Sequence, residues 1–354
     1  MKILVINPGS TSTKLAIYED RELLWKHTIH HSVDELRQFA MINDQLPMRL
    51  EAIREALAAD GYAVDFDGVI GRGGLLKPTP GGVYEVTDLM RHDLLNAELQ
   101  HACNLGGVLA EDIADMCGAR SFIADPEVVD ELMPEARLTG LKGVARRSVF
   151  HALNSKAVAR RYAASIGKEY EALNLIVAHL GGGVSVSAHR HGKVVDVNNA
   201  ISGEGPFSPE RAGTISADDM VELCFSGRYT KKELKRMING QGGVTSLLGT
   251  NDMRMALAEA SESIEPAASV IKAMAYNIAK EIGARQVALR GDVDAIIFTG
   301  GISHSEYFLS LIESWISYVA PIVVSGAEDE LDALAYNAYN ALVGAVPISV
   351  YAPK

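Results

Sequence analysis

Residues 3–20 read ILVINPGSTSTKLAIYED, and residues 175–192 read LIVAHLGGGVSVSAHRHG. Each is an apolar run, a polar residue, a glycine turn and a second alternating run that heads into another turn. That is the pattern of three consecutive strands. Gly9 aligns with Gly181 and Ala16 with Ala188, both at an offset of 172. Downstream, Asp67–Gly74 (DGVIGRGG) and Asp294–Gly301 (DAIIFTGG) echo each other at an offset of 227. One strand–glycine–strand echo is common in large α/β chains. Two in the same order predict a duplicated domain, and the offsets differ by 55 residues, which predicts an insertion in the second copy.

Helical patterns lie between these blocks. Arg49–Asp60 carries Leu50, Ile53 and Leu57 on one face and stops at Gly61. Asn104–Cys117 stops at Gly118, and Leu153–Ile166 stops at Gly167. Glu265–Arg290 has Ile271, Met274, Ile278 and Ile282 at helical spacing. Strands alternating with helices predict mixed α/β layers. The expected domains are 1–155 and 156–354, the second with the insertion. The last helix, 331–345, is expected to pack back on the first domain.

The 354 residues are 48% hydrophobic and 22% charged, a globular composition with room for two cores. The net charge of −12 gives no general attraction to nucleic acid or anionic lipid, so neither is an expected partner. No apolar run is long enough to span a membrane. The N-terminal MKILVINPGS turns polar at Asn7 and reads as a strand, not a leader. Cys103, Cys117 and Cys224 are odd in number and far apart, which predicts a reducing, cytoplasmic compartment and no zinc site.

Four glycine turns follow apolar strands: Asn7–Ser10, Gly71–Gly74, Leu180–Gly183 and Thr299–Ile302. Backbone N–H groups in such turns can cradle a phosphate. A single turn is ordinarily a plain hairpin, but four in a symmetric arrangement point to a nucleotide held in a cleft between domains. No G-x-x-x-x-G-K-[ST] occurs, and no G-x-G-x-x-G opens a helix, so P-loop and Rossmann sites are excluded. Strand alternation is expected to put Ser10, Ser12 and Lys14 on one face, which suits a polyphosphate with its metal. Arg72 between glycines is a candidate for a substrate carboxylate. Arg211, in GEGPFSPERAG, is a candidate for the charge on a transferring phosphoryl group. Arg254 opens a helix after Thr250-Asn251-Asp252. Asp125 follows a strand, His151 starts a helix, and His179 ends a strand before Gly181–Gly183. The acidic run Glu328-Asp329-Glu330 either favours a helix dipole or meets Mg²⁺.

These residues match a family. INPGSTSTK, GRGGLLKPTPGG, IADPEVVDELMP, SVFHALNSKAVARR, the stretch from VAHLGGG to SPERAG, and IIFTGGISHS together resemble the acetokinase family over essentially the whole chain. The resemblance implies two duplicated actin/ribonuclease-H-like domains. It implies reversible phosphoryl transfer from ATP to a short-chain fatty acid, giving an acyl phosphate and ADP with Mg²⁺. The unbroken GEGPFSPERAG and the GRGGLL turn look more like the members that act on butyrate and branched-chain acids than those that act on acetate.

By the same resemblance, Arg72 holds the substrate carboxylate and is catalytic, together with Asp125, His151 and Arg211. Ser10, Ser12 and Lys14 form the first phosphate loop. His179 with Gly181, Gly182 and Gly183 forms the second. Gly300, Gly301, Ile302 and Ser303 form the adenosine loop, with Asp252 and Arg254 as further nucleotide contacts. Asn7, Asp329 and Glu330 lie near the metal, Asp329 at the ligand position. Two departures stand out. Ala152 follows His151 where the acetate kinases have Gly, and Glu328-Asp329-Glu330 replaces an Asn-Glu-Glu run. The resemblance also implies at least a homodimer. The rival readings are a sugar or polyol kinase of the same fold, with Asp125 as base, and a non-metabolic actin-like or chaperone ATPase.

Overall fold

The computed structural model describes residues 1–98, 100–326 and 330–352. Its strands are β1 (Lys2–Pro8), β2 (Ser12–Glu19), β3 (Glu22–His30), β4 (Gly68–Gly71), β5 (Val83–Glu85), β6 (Arg120–Ala124), β7 (Asn174–Leu180), β8 (Val184–Arg190), β9 (Lys193–Val197), β10 (Ala295–Thr299), β11 (Ile322–Val324) and β12 (Ile348–Ser349). Among the described residues they form two sheets. One is ordered β12-β5-β6-β4-β1-β2-β3, the other β11-β10-β7-β8-β9.

The two sequence echoes become two copies of one topology. β1, β2 and β3 run antiparallel, and β4 lies parallel on the other side of β1. β7, β8 and β9 repeat the antiparallel run, and β10 takes the parallel position beside β7. Each second-to-third strand pair carries a register shift, at Ile17/Tyr18 and at Ala188/His189. The chain is therefore mixed α/β with a duplicated core motif, as its echoes predict.

Two compact units result, Met1–Asp130 with Asp329–Lys354, and Glu131–Glu328. The division falls at 130/131, where the sequence reading set it at 155/156. Residues 131–155 are tied to the second sheet: Met133 donates its N–H to the Val195 carbonyl, and Ala200 donates to the Val149 carbonyl. Arg146 also reaches Asp196 at 2.9 Å. The helix Glu330–Leu342 packs on β1, β4 and β6 of the first unit.

In the first unit, Leu4, Ile6, Leu15 and Ile17 alternate onto one sheet face, against Ile53 and Leu57 of the helix Leu46–Ala59 and Leu105, Leu109 and Ile113 of the helix Leu105–Cys117. In the second unit both faces of β7 are covered. Ile176, Ala178 and Leu180 meet Ile271, Met274, Ile278 and Ile282 of the helix Ala267–Ala288. Leu175 and Val177 meet Val158, Ala159 and Ala163 of the helix Ala152–Ser165. Strands buried on both faces read as unbroken apolar runs, which is why β7 and β10 look continuous in the sequence. Polar residues appear where these strands end, and there the candidate residues gather.

Candidate active site

In the first unit, β1 ends at Pro8 and the chain turns through Gly9, whose N–H donates to the Ser12 carbonyl at 2.7 Å. β2 begins only at Ser12. Ser12 and exposed Lys14 share its outer face, while Ser10 lies in the turn, ahead of the strand that was expected to align all three. Thr13 points inward and is fully buried.

Asn7 and Arg72 converge on the Glu330 carboxylate. Asn7 Nδ2 donates to Glu330 Oε2 at 2.8 Å, and Arg72 Nη1 pairs with Glu330 Oε1. Arg72 Nε donates to Glu127 Oε1 at 2.9 Å. Arg72 follows β4 and donates its backbone N–H to the Ile6 carbonyl, which fixes it beside β1. Burial opposes its charge, but Glu127 and Glu330 more than offset that and hold the guanidinium above its usual range. Glu127 Oε2 is buried with no hydrogen-bond partner among the described residues.

Asp125 leaves β6 with φ of 37°, a left-handed conformation that an Asp adopts more readily than most non-glycine residues. Its Oδ1 accepts from the Gly82 N–H at 2.9 Å, and its own N–H donates to the Gly82 carbonyl. Asp329 lies outside the described residues. Among the described residues no cluster of three or more His, Cys, Asp or Glu could hold a metal alone. Asn7 and Glu330 nevertheless supply hard oxygen donors. Mg²⁺ bound mostly through phosphate oxygens and water needs only one or two such groups, so the donor set fits that ion.

In the second unit, His151 is the cap residue before the helix Ala152–Ser165. Its Nδ1 lies 2.8 Å from Ser185 Oγ on β8. His179, near the end of β7, has Nδ1 at 2.8 Å from Asn154 Oδ1. The two imidazoles stack. Gly181–Gly183 follow His179, and Ser208 Oγ donates to the Gly182 carbonyl at 2.7 Å.

Arg211 lies against this turn. A Cβ on Gly183 would come within 1.9 Å of its Nη1, so only glycine leaves room for the guanidinium. Nη1 donates to the Ala200 carbonyl at 2.8 Å and Nε to Asn239 Oδ1 at 3.1 Å. Desolvation pulls the pKa of Arg211 down, and Glu210 compensates only in part.

Gly300 also reaches the second turn. A Cβ there would approach the Leu180 carbonyl oxygen to 2.4 Å, and its φ of 88° already suits glycine. Ser303 Oγ closes the Gly300–Ser303 loop by donating to the Gly300 carbonyl. Asp252 caps the helix Met253–Ser261, and the preceding Asn251 donates to Glu210 Oε1 at 2.8 Å. Arg254 is almost fully exposed.

The structure thus brings Asn7, Arg72 and Glu330 together in the first unit. In the second it brings together His151, His179, Gly181–Gly183, Arg211 and the Gly300 loop. Three side chains that hold these residues, and one that bonds the Ser10 and Ser12 carbonyls, escaped the sequence reading. Asn154 lies three residues after His151, on the first turn of its helix. Ser185 interrupts the valines of β8. Glu127 follows Asp125 by two residues, with no local mark. Arg49 is buried on the face of Ile53 and Leu57, four and eight residues on, where the sequence reading placed Leu50.

The acetokinase family matches residues 136–313. A protein from Phocaeicola vulgatus named "Probable butyrate kinase" is 57% identical over 354 residues, covering 100% of both chains. One of the same name from Bacteroides thetaiotaomicron is 49% identical, covering 99% of this chain and 100% of its own. The crystal structure of Porphyromonas gingivalis acetate kinase superposes with a TM-score of 0.80 at 21% identity, covering 96% of this chain and 99% of that one, a likeness of fold.

Proposed function

The chain belongs to the acetokinase family, and from that membership we propose that it transfers the γ-phosphoryl group of ATP, reversibly, to butyrate or a branched short-chain acid, giving an acyl phosphate and ADP. It is a phosphotransferase that acts on a carboxyl group. The observation that carries the reading is Arg211. It is a half-buried guanidinium whose hydrogen-bond partners among the described residues are all neutral, held against a glycine turn, and so suited to an incoming phosphoryl charge.

The acid's carboxylate is already ionised at neutral pH, so attack needs no general base. Catalysis comes from orientation and charge stabilisation. In this reading Arg72, steadied by Glu127 and Glu330, presents the carboxylate for in-line attack. Arg211 and His151 stabilise the equatorial oxygens as the γ-phosphoryl group passes across. The Ser185 and Asn154 contacts fix the planes of the two histidines. Asp125, bonded to the Gly82 backbone, orients its neighbours and removes no proton. Ser10, Ser12 and Lys14 contact phosphate, as do His179 and Gly181–Gly183. Gly300–Ser303, Asp252 and Arg254 contact the rest of the nucleotide. Asn7 and Glu330, with Asp329, would hold Mg²⁺, which when bound draws charge from the β- and γ-phosphates.

No described helix is long and apolar enough to cross a membrane. A cytoplasmic location and a homodimer complete the proposal, the first from the free cysteines and the second from the family. The sugar-kinase alternative is weaker, because relatives at 57% and 49% identity over the whole chain are named for butyrate.

A hydroxamate trap for acyl phosphate, run with ATP across straight and branched acids and against sugars and polyols, tests the reading. Hydroxamate should form with four- and five-carbon acids. ATP consumption with a sugar and none with any acid would overturn it.

A further inference from the structure

We propose that Arg49 is the first unit's counterpart of Arg211, a buried guanidinium that braces the Gly9–Ser12 turn and supplies positive charge to a phosphate bound there. This rests on the reading of Ser10, Ser12 and Lys14 as phosphate contacts.

Several of the buried or half-buried arginines differ in their partners. Arg72, Arg146 and Arg285 each reach two carboxylates: Glu127 and Glu330, Asp196 and Glu204, and Asp196 and Glu281. Arg49 and Arg211 bond only neutral oxygens, and among the described residues neither makes an ion pair. Arg49 is 0% exposed. Its Nη1 donates to Thr13 Oγ1 at 2.9 Å and to the Ser12 carbonyl at 3.3 Å. Its Nη2 donates to the Ser10 carbonyl at 3.4 Å and to Gln45 Oε1 at 3.0 Å.

The charged and titratable neighbours do not neutralise it. His31 Nε2 lies 2.9 Å from Thr13 Oγ1, and burial together with Arg49 itself pushes that imidazole toward its neutral form. Glu35 stands beyond it, 3.8 Å from His31 Nδ1. Burial holds Arg49 down to about 10, with Glu35 compensating only in part.

A buried cation without a counter-charge is costly unless an anion arrives. Arg49 and Arg211 occur at one topological position. Arg49 bonds the turn between the first and second strands of its sheet. Arg211 abuts the turn between the corresponding strands, β7 and β8, of the other. Both copies of the motif thus keep a guanidinium without an ion pair among the described residues against the same turn. A neutral side chain could tie the Ser10 and Ser12 carbonyls, but only a cation would also attract phosphate.

The test compares Arg49→Met and Arg49→Lys in the full chain, beside Ser12→Ala and Lys14→Ala. Calorimetry measures binding of a non-hydrolysable ATP analogue, kinetics give the KM for butyrate, and a melt reports folding. Arg49→Met should bind the analogue about tenfold or more weakly, with butyrate KM within about twofold of the parent. Arg49→Lys, which keeps the charge, should recover much of the loss. Should Arg49→Met fail to fold, Arg49→Gln is read in its place against Arg49→Lys.

The proposal is overturned if the neutral variant binds like the parent, or if the neutral and Lys variants lose affinity equally. If Ser12→Ala and Lys14→Ala bind poorly while the neutral Arg49 variant binds normally, only the role of Arg49 fails. If the loop variants also bind normally, the phosphate-loop reading fails with it.

Discussion

The imidazole rings of His151 and His179 lie face to face, 4.1 Å between centroids and 22° from parallel, although 28 residues separate them in the chain. Each ring is held by a different neighbour, His151 by Ser185 and His179 by Asn154. The stack therefore has two separate anchors. Asn154→Ala and Ser185→Ala should each lower kcat by about five- to tenfold, the worth of one orienting hydrogen bond at the transition state. Steady-state kinetics beside thermal melts check this. A loss of melting temperature with an unchanged kcat would reduce both residues to packing.

Gly183 and Arg211 give a sharper test, because the clash at Gly183 is with the far end of a flexible side chain. Gly183→Ala should fold and melt near the parent while displacing the guanidinium. Its kcat should fall by about 10²-fold or more, toward the loss of about 10³-fold expected for Arg211→Ala. Gly300→Ala sets the contrast. Its Cβ would meet the rigid Leu180 carbonyl at φ of 88°, so stability falls first. A Gly183→Ala enzyme of normal kcat would remove Arg211 from the phosphoryl site.

Asp252 predicts a pH dependence. The Met255 and Arg254 backbone N–H groups hold its carboxyl below the usual range. A folded-state pKa below the unfolded one contributes stability that is present above the unfolded value and lost as pH falls through the folded one. Asp252→Ala should therefore melt earlier than the parent at neutral pH. The gap should close as the pH is lowered through the acid range. Calorimetric melts over a pH series measure it, and a gap independent of pH would sink the assignment of the cap's effect to charge.

Much of the framework was legible because it rests on short-range rules. The two offsets marked the repeated strands, and the spacing of Ile271, Met274, Ile278 and Ile282 marked a helix later seen at Ala267–Ala288. Glycine turns marked where strands end. The unit boundary was harder. Residues 131–155 lie outside the repeated strand patterns, and bonds such as Met133 to Val195 assign them to the second sheet.

Within the site, the sequence singled out Arg72 and Arg211 but not what surrounds them. Arg72 meets Glu330 across 258 positions of chain, and Arg49 meets Ser10 across 39. Side-chain periodicity and turn chemistry are local, so residue order alone determined the strands, the helices and their duplication. Which cations pair with carboxylates, and which bond only neutral oxygens, follows from how distant segments pack, and only the folded chain decided that.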